Sequence, residues 1–159
     1  SDAVLDAVVA KSDAQRREMW ARREAAAEVS RLRSPVVDND IAVPTDSLQT
    51  LVEQLHARTK ALDPGAGILN VGHLGDGNLH FAAWPSTDDV DVHAKSGLAV
   101  EEETVALGGS FSAEHGVGLS KKPTMARHKD PVALAVMRQI KAALDPNNIM
   151  NPGKVLPDA

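Results

Sequence analysis

The sequence predicts an α+β fold: a ferredoxin-like antiparallel sheet, ordered strand–helix–strand–strand–helix–strand (βαββαβ), with additional helices at both ends. Three observations predict it. Short apolar or alternating runs lie between longer runs whose apolar residues recur every three to four positions. Two of the short runs lie on either side of a Gly-Asp-Gly-Asn segment, the chemistry of a hairpin, so they should pair antiparallel. The length of 159 residues, 43% hydrophobic, suits one domain over 1–159, without repeat, low-complexity tract or linker.

Asp13 to Arg33 is free of Gly and Pro and rich in Ala, Glu and Arg, which predicts a helix with Met19, Ala26, Val29 and Leu32 turned inward. "VVDNDIAVP" alternates until its proline and predicts a strand from Val36 to Val43. The next helix starts near Thr45, places Leu48, Leu51, Val52 and Leu55 on one face, and stops at "DPGAG". "ILNVGH" and "LHFAAW" are the hairpin strands. A weaker helical stretch runs to about Leu107, then "GGSFSAEHGVG" reads as extended chain flanked by glycine. The last helix has Asp130 as N-cap and Pro131 in its first turn, and ends at Leu144.

Composition removes several function classes. A net charge of −5 argues against a nucleic-acid surface, which needs clustered cations. The absence of cysteine excludes disulfides and thiolate metal sites, so any metal must be held by His and carboxylate. No apolar run approaches the roughly 20 residues of a membrane span, and the expectation is a soluble, cytoplasmic chain that meets a membrane at most peripherally. With no Tyr, two Phe and two Trp, stacking platforms are scarce.

The chemistry concentrates in "VGHLGDGNLH", where two of the six histidines flank the turn. With Asp76-Gly77 as a two-residue turn, counting outward pairs His73 with His80 on one face, with Cβ atoms about 5 Å apart, near enough to share one ion. Merely surface-exposed histidines are the plain alternative. In "SFSAEHGVG", Glu114 stands beside His115, and neighbours on extended chain point to opposite sides and serve different partners. A His73/His80/Glu114 set suits zinc or a similar divalent ion and leaves a position open for substrate. His56, His93 and His128 lie outside the motifs and read as surface residues. "GVGLSKK" lacks the spacing of a phosphate loop.

"GHLGDGNLH", "SAEHGVG" and "LDPNNIMNPGKV", preceded by "MWARRE" and "DNDIAVP", together resemble the C-terminal domain of FAD-linked oxidases of the vanillyl-alcohol oxidase type. The nearest branch is that of D-lactate dehydrogenase, the glycolate oxidase flavin subunit and D-2-hydroxyglutarate dehydrogenase. The resemblance implies an FAD-dependent oxidation of a D-2-hydroxy acid to the 2-oxo acid. It implies metal ligation by His73, His80 and Glu114, His115 as general base, and Arg23 as clamp on the substrate carboxylate. It also implies flavin contacts from Asn78, Gly116, Gly118, Asn151 and Lys154. Asn78 is explained equally by turn preference, and Asn151 and Lys154 by a chain-end turn.

Where relatives specific for 2-hydroxyglutarate place Thr and Lys for a second carboxylate, this chain has Ala27 and Asp38, and an asparagine expected two positions after the second histidine is Ala82. A negative Asp38 would repel a distal carboxylate, which favours a monocarboxylate of lactate-like size or with an apolar tail. The FAD-binding domain of such enzymes precedes this one, and nothing here resembles it. The chain is therefore expected to be an excised domain or a subunit, inactive alone, whose partners are the flavin-binding part, a small hydroxy acid and, through the uncovered face, a second copy in a homodimer. The competing readings are a stand-alone zinc hydrolase using the same ligands and a noncatalytic ferredoxin-like binding module.

Overall fold

A computed structural model describes residues 6–25, 29 and 33–158. The elements are α1 (Asp13–Glu24), β1 (Val37–Ala42), α2 (Leu48–Leu62), β2 (Gly67–His73), β3 (Asn78–Trp84), α3 (Val90–Ala106), α4 (Lys122–His128) and α5 (Pro131–Leu144), with a single 3-10 turn, Thr45–Ser47, leading into α2. The class is α+β. The three strands form an antiparallel sheet in the order β1-β3-β2. The fourth strand expected from the βαββαβ pattern does not form a ladder: Ser110 makes one isolated antiparallel bridge to Ala42. The chain bends immediately afterwards, so further pairing stops there.

The sheet has two unlike faces because successive side chains alternate. Ile41, Leu79, Phe81 and Ala83 point to the face covered by α2 and α3, where they pack with Leu48, Leu51, Leu55 and Val100. Each large side chain fully buried there contributes about 1.5–3 kcal/mol. The opposite face carries Asp38, Asp40, Asn78, His80 and His73, the polar half of the same alternation. Burying the apolar half therefore fixes the polar half on the outer face.

Helix ends follow local chemistry. Ser12, Asp89 and Asp130 cap α1, α3 and α5 by accepting N–H groups of Gln15, Asp91 and Ala133. Asp130 and the stop at Leu144 are as the sequence predicts. α1 differs: the described helix ends at Glu24, buries none of its residues, and leaves Met19 and Val29 exposed rather than inward, while Ala26, Ala27 and Leu32 lie outside the described residues. α4 is not foreseen by the sequence reading, being too short for a periodic signal. His56, His93 and His128 are half-buried rather than at the surface, with His56 hydrogen-bonded to Asn70 at 2.6 Å. Among the described residues no helix is long and apolar enough to cross a membrane.

The hairpin register departs from expectation. His73 pairs with Asn78, and His80 with Val71, because Leu74 to Gly77 form a four-residue loop rather than a two-residue turn. A two-residue change preserves parity, so both histidines stay on one face, now as diagonal neighbours. Gly77 fixes this loop: its φ is +73° and its carbonyl accepts the N–H of Val43 at 3.1 Å. A Cβ on Gly77 would stand 2.0 Å from the Val43 oxygen, whereas one on Gly75 would meet nothing within 4 Å. Gly77→Ala is therefore expected to destabilise the chain by at least about 2 kcal/mol, and Gly75→Ala by far less. Denaturant melts of the two variants check this, and equal losses would contradict it.

Candidate metal centre

The outer face of the sheet and the loop after Ser110 build one cluster. His73 Nδ1 lies 2.9 Å from Glu114 Oε1, and His80 Nε2 lies 3.5 Å from Glu114 Oε2. One donor atom from each of His73, His80 and Glu114 falls within 4.8 Å of the others. Ligands about 2.1 Å from a tetrahedral ion stand about 3.4 Å apart, so these donors are near the spacing such an ion requires. The His73 and His80 rings are 5.8 Å apart and nearly perpendicular.

Glu114 and His115 reach the site by a bend, not by the extended chain expected from the sequence. Both of their backbone N–H groups donate to the same oxygen, Asp40 Oδ2, each at 2.7 Å. In extended chain, successive N–H groups point oppositely; their convergence makes residues 113–115 a concave nest for an anion. Asp40 supplies that anion from β1 and is only 3% exposed. Its Oδ1 accepts from Asn78 Nδ2 at 2.9 Å. Ser112 Oγ closes the bend by donating to the Gly116 carbonyl at 2.7 Å and accepts from Lys121 Nζ at 3.1 Å. The two side chains still diverge: Glu114 turns to the histidines, while the His115 ring stacks on His80 at 5.4 Å and remains 64% exposed.

Beside His115 lies a cavity of about 270 Å³ lined by Asp38, Asp40, His115, Gly116, Gly118 and Lys121, among others. Two carboxylates, Asp38 and Asp40, line it with one ammonium, Lys121, so the cavity is anionic. Burial pushes the Asp40 carboxyl up, but the N–H groups of His115 and Glu114 and the Asn78 amide together outweigh it and hold it below its ordinary value. Burial depresses the Lys121 ammonium, and the carboxylates of Asp40, Asp38 and Glu101 oppose that only in part.

Asp40 and Lys121 are the residues that sequence reading missed. The alternation in "DND" puts Asp38 and Asp40 on the polar face of a strand, which reads as the solvent side, so the sequence alone carried no signal that Asp40 is buried and partnered. Arg23 is half-buried on α1, and among the described residues no group pairs with its guanidinium. Asn78 is buried, with its amide committed to Asp40 and to the Ile41 carbonyl. Gly116, Gly118, Asn151 and Lys154 come together, since the N–H of Val155 donates to the Gly118 carbonyl at 2.8 Å and Lys154 Nζ donates to Asn151 Oδ1 at 3.2 Å.

The model of the FAD linked oxidases, C-terminal domain, matches residues 1–155. The chain belongs to this family. It is 39% identical over 99% of its length to a mitochondrial D-2-hydroxyglutarate dehydrogenase of Bos taurus, of which it covers 28%. It is 35% identical over 99% of its length to one of Danio rerio, covering 29%, and 36% identical over 96% to one of Stutzerimonas stutzeri (strain A1501), covering 34%. The chain thus spans about a third or less of the relatives it matches. The expected cytoplasmic location is overturned: the animal and plant relatives are named as mitochondrial, with bacterial relatives also present.

Among the described residues, three buried carboxylates are held below their ordinary value: Asp40, Asp63 through the Ser86 hydroxyl and N–H, and Asp145 through the Lys141 ammonium. A carboxyl lowered by folding contributes stability that is complete above its unfolded value and lost as pH falls through the folded one. Asp40→Asn should therefore lie well below the parent chain in melting temperature at pH 7, with the gap closing below about pH 4. Melts from pH 7 to pH 2 check this, and a gap constant with pH would contradict it.

Proposed function

We propose that this chain is the substrate- and metal-binding part of an FAD-dependent dehydrogenase that oxidises a D-2-hydroxy acid to the 2-oxo acid. The observation that carries the reading is the convergence of His73, His80 and Glu114, with His115 beside them at a cavity. A zinc or similar divalent ion fits there by donor type and spacing, and the surplus of carboxylates favours a cation. Bound by these three residues, such an ion supplies charge neutralisation for an anionic substrate and stabilisation of its alkoxide. FAD, when bound, supplies the acceptor for the hydride of the α-carbon.

The chain's own residues do the rest. His115 accepts the hydroxyl proton: its ring is exposed to the cavity, and a neutral imidazole is a base near pH 7. Arg23 offers a planar fork for the substrate carboxylate. Gly116, Gly118, Asn151 and Lys154 would hold the flavin from this side, with Asn78 acting through the strand beneath the residues that would hold the metal. The FAD-binding part is a domain or subunit preceding this one, a reading supported by the greater length of the relatives. The surface offered to it includes α5, where Val132, Val136, Ile140 and Leu144 are exposed at four-residue spacing. Left uncovered, the same face would pair two copies of this chain.

The substrate tail is read from Asp38, which lies directly across from Ala82 and lines the cavity with Asp40. A second carboxylate there would meet two fixed anions, and the one ammonium, Lys121, already donates to the Asp40 carbonyl at 3.3 Å and to Ser112. A monocarboxylate of lactate-like size suits this better. The names of the relatives favour the second reading, D-2-hydroxyglutarate, in which Lys121 receives the distal carboxylate.

The test uses this chain joined to its FAD-binding part. Glu114→Gln should lose metal and turnover together, while His115→Gln should keep the metal and slow turnover by about 10² to 10⁴. D-lactate should have a higher kcat/KM than D-2-hydroxyglutarate. Metal analysis and steady-state kinetics decide each point. Loss of metal from His115→Gln with retention in Glu114→Gln would exchange the two roles, and a preference for D-2-hydroxyglutarate would overturn the substrate reading. Flavin-free turnover of esters would establish the hydrolase instead.

A further inference from the structure

We infer that Asp40 is a positioning residue that aims two neighbouring side chains, Glu114 toward the metal and His115 toward the substrate, by binding the backbone between them. This rests on the metal reading above and adds a residue to it. Asp40 holds the loop at every step: its carbonyl accepts the N–H of Ala113 at 3.3 Å, and Oδ2 accepts those of Glu114 and His115. The same carboxylate lies 3.9 Å from His80 Nδ1 through Oδ1 and 3.9 Å from His115 Nδ1 through Oδ2, beneath both rings.

The residue type follows from the geometry. Two N–H groups converging on one oxygen call for a full negative charge, since charge-assisted bonds are roughly twice as strong as neutral ones. The side chain must be short, because β1 lies directly under the loop; one more methylene would push Glu114 and His115 outward together. Asn78, one position along the same face, fixes the other carboxylate oxygen, and its register against Ala42 and His73 ties that oxygen to the hairpin that carries both histidines. Asp40 thus makes one rigid unit of ligands from two separate segments, the kind of supporting shell whose removal typically costs 10–100-fold in metal affinity.

The test measures zinc affinity and amide hydrogen exchange on the chain and on Asp40→Asn and Asp40→Glu, with a cooperative melt showing that each variant is folded. Asp40→Asn removes the charge, and Asp40→Glu keeps it but displaces the loop. Both should bind zinc about 10- to 100-fold more weakly, and the amides of Glu114 and His115, protected in the parent, should exchange faster in both. Should one variant fail to fold, the other still decides. A folded variant whose zinc affinity stays within twofold of the parent would overturn the inference, as would parent amides at Glu114 and His115 exchanging no more slowly than those of Gly116 and Gly118. A parent chain that binds no zinc refutes the metal reading; the amide exchange then decides by itself whether Asp40 holds the loop.

Discussion

The bond between the Asp40 carboxylate and the two consecutive N–H groups of Glu114 and His115 is the constraint on which the site depends. The expected fourth strand is reduced to the Ala42–Ser110 bridge, and beyond it the loop after Ser110 is tied to the sheet by side chains and by the Asp40 carbonyl rather than by a ladder. A buried carboxylate replaces the ladder. Hydrogen bonds to a charged group are worth about 1.5–3 kcal/mol each, and leaving such a group unpaired costs more. The loop is therefore held as firmly as a strand edge while keeping a bend that a strand cannot have.

The same device recurs at two other loops. Asp63, at the end of α2, accepts the N–H of Ser86 at 2.6 Å and of Gly65 at 3.0 Å, tying the α2–β2 connection to the end of β3. Asp145, at the end of α5, accepts the N–H groups of Ile149 and Met150, each at 2.9 Å, and pairs with Lys141. That anchors the turn carrying Asn151 and Lys154, which in turn meets Gly118 through Val155. Sheet, hairpin, loop and chain end are linked by short carboxylates at the roots of loops. α2 and α3 cover one face of the sheet, and the polar face is left for chemistry.

What was legible in the sequence was whatever has a period or a fixed turn chemistry. The apolar spacing of Leu48, Leu51 and Leu55, the Asp130 cap and the hairpin around Gly77 all appear where they are expected. The cluster of His73, His80 and Glu114 was legible because its residues are rare types in short motifs, and because the parity of β-pairing forgives a two-residue error in the turn. The bend at Glu114 was not legible, since its cause lies 74 residues away on β1 and is a tertiary hydrogen bond rather than a local preference. Asp40 was hidden for the same reason: a carboxylate in an alternating strand reads as the solvent side until its partners are known. α1 failed in the opposite sense, as an amphipathic pattern whose stripe has no described surface to cover.

The claim most worth testing is that one ion is held by two imidazoles and one carboxylate, with His115 left out. X-ray absorption at the zinc edge of the zinc-loaded protein reads this directly. The expected spectrum shows two imidazole ligands and oxygen, all at about 2.0–2.2 Å. His115→Gln should leave it unchanged, and His73→Ala should remove one imidazole. Three imidazole ligands, or a spectrum that loses an imidazole in His115→Gln, would contradict it.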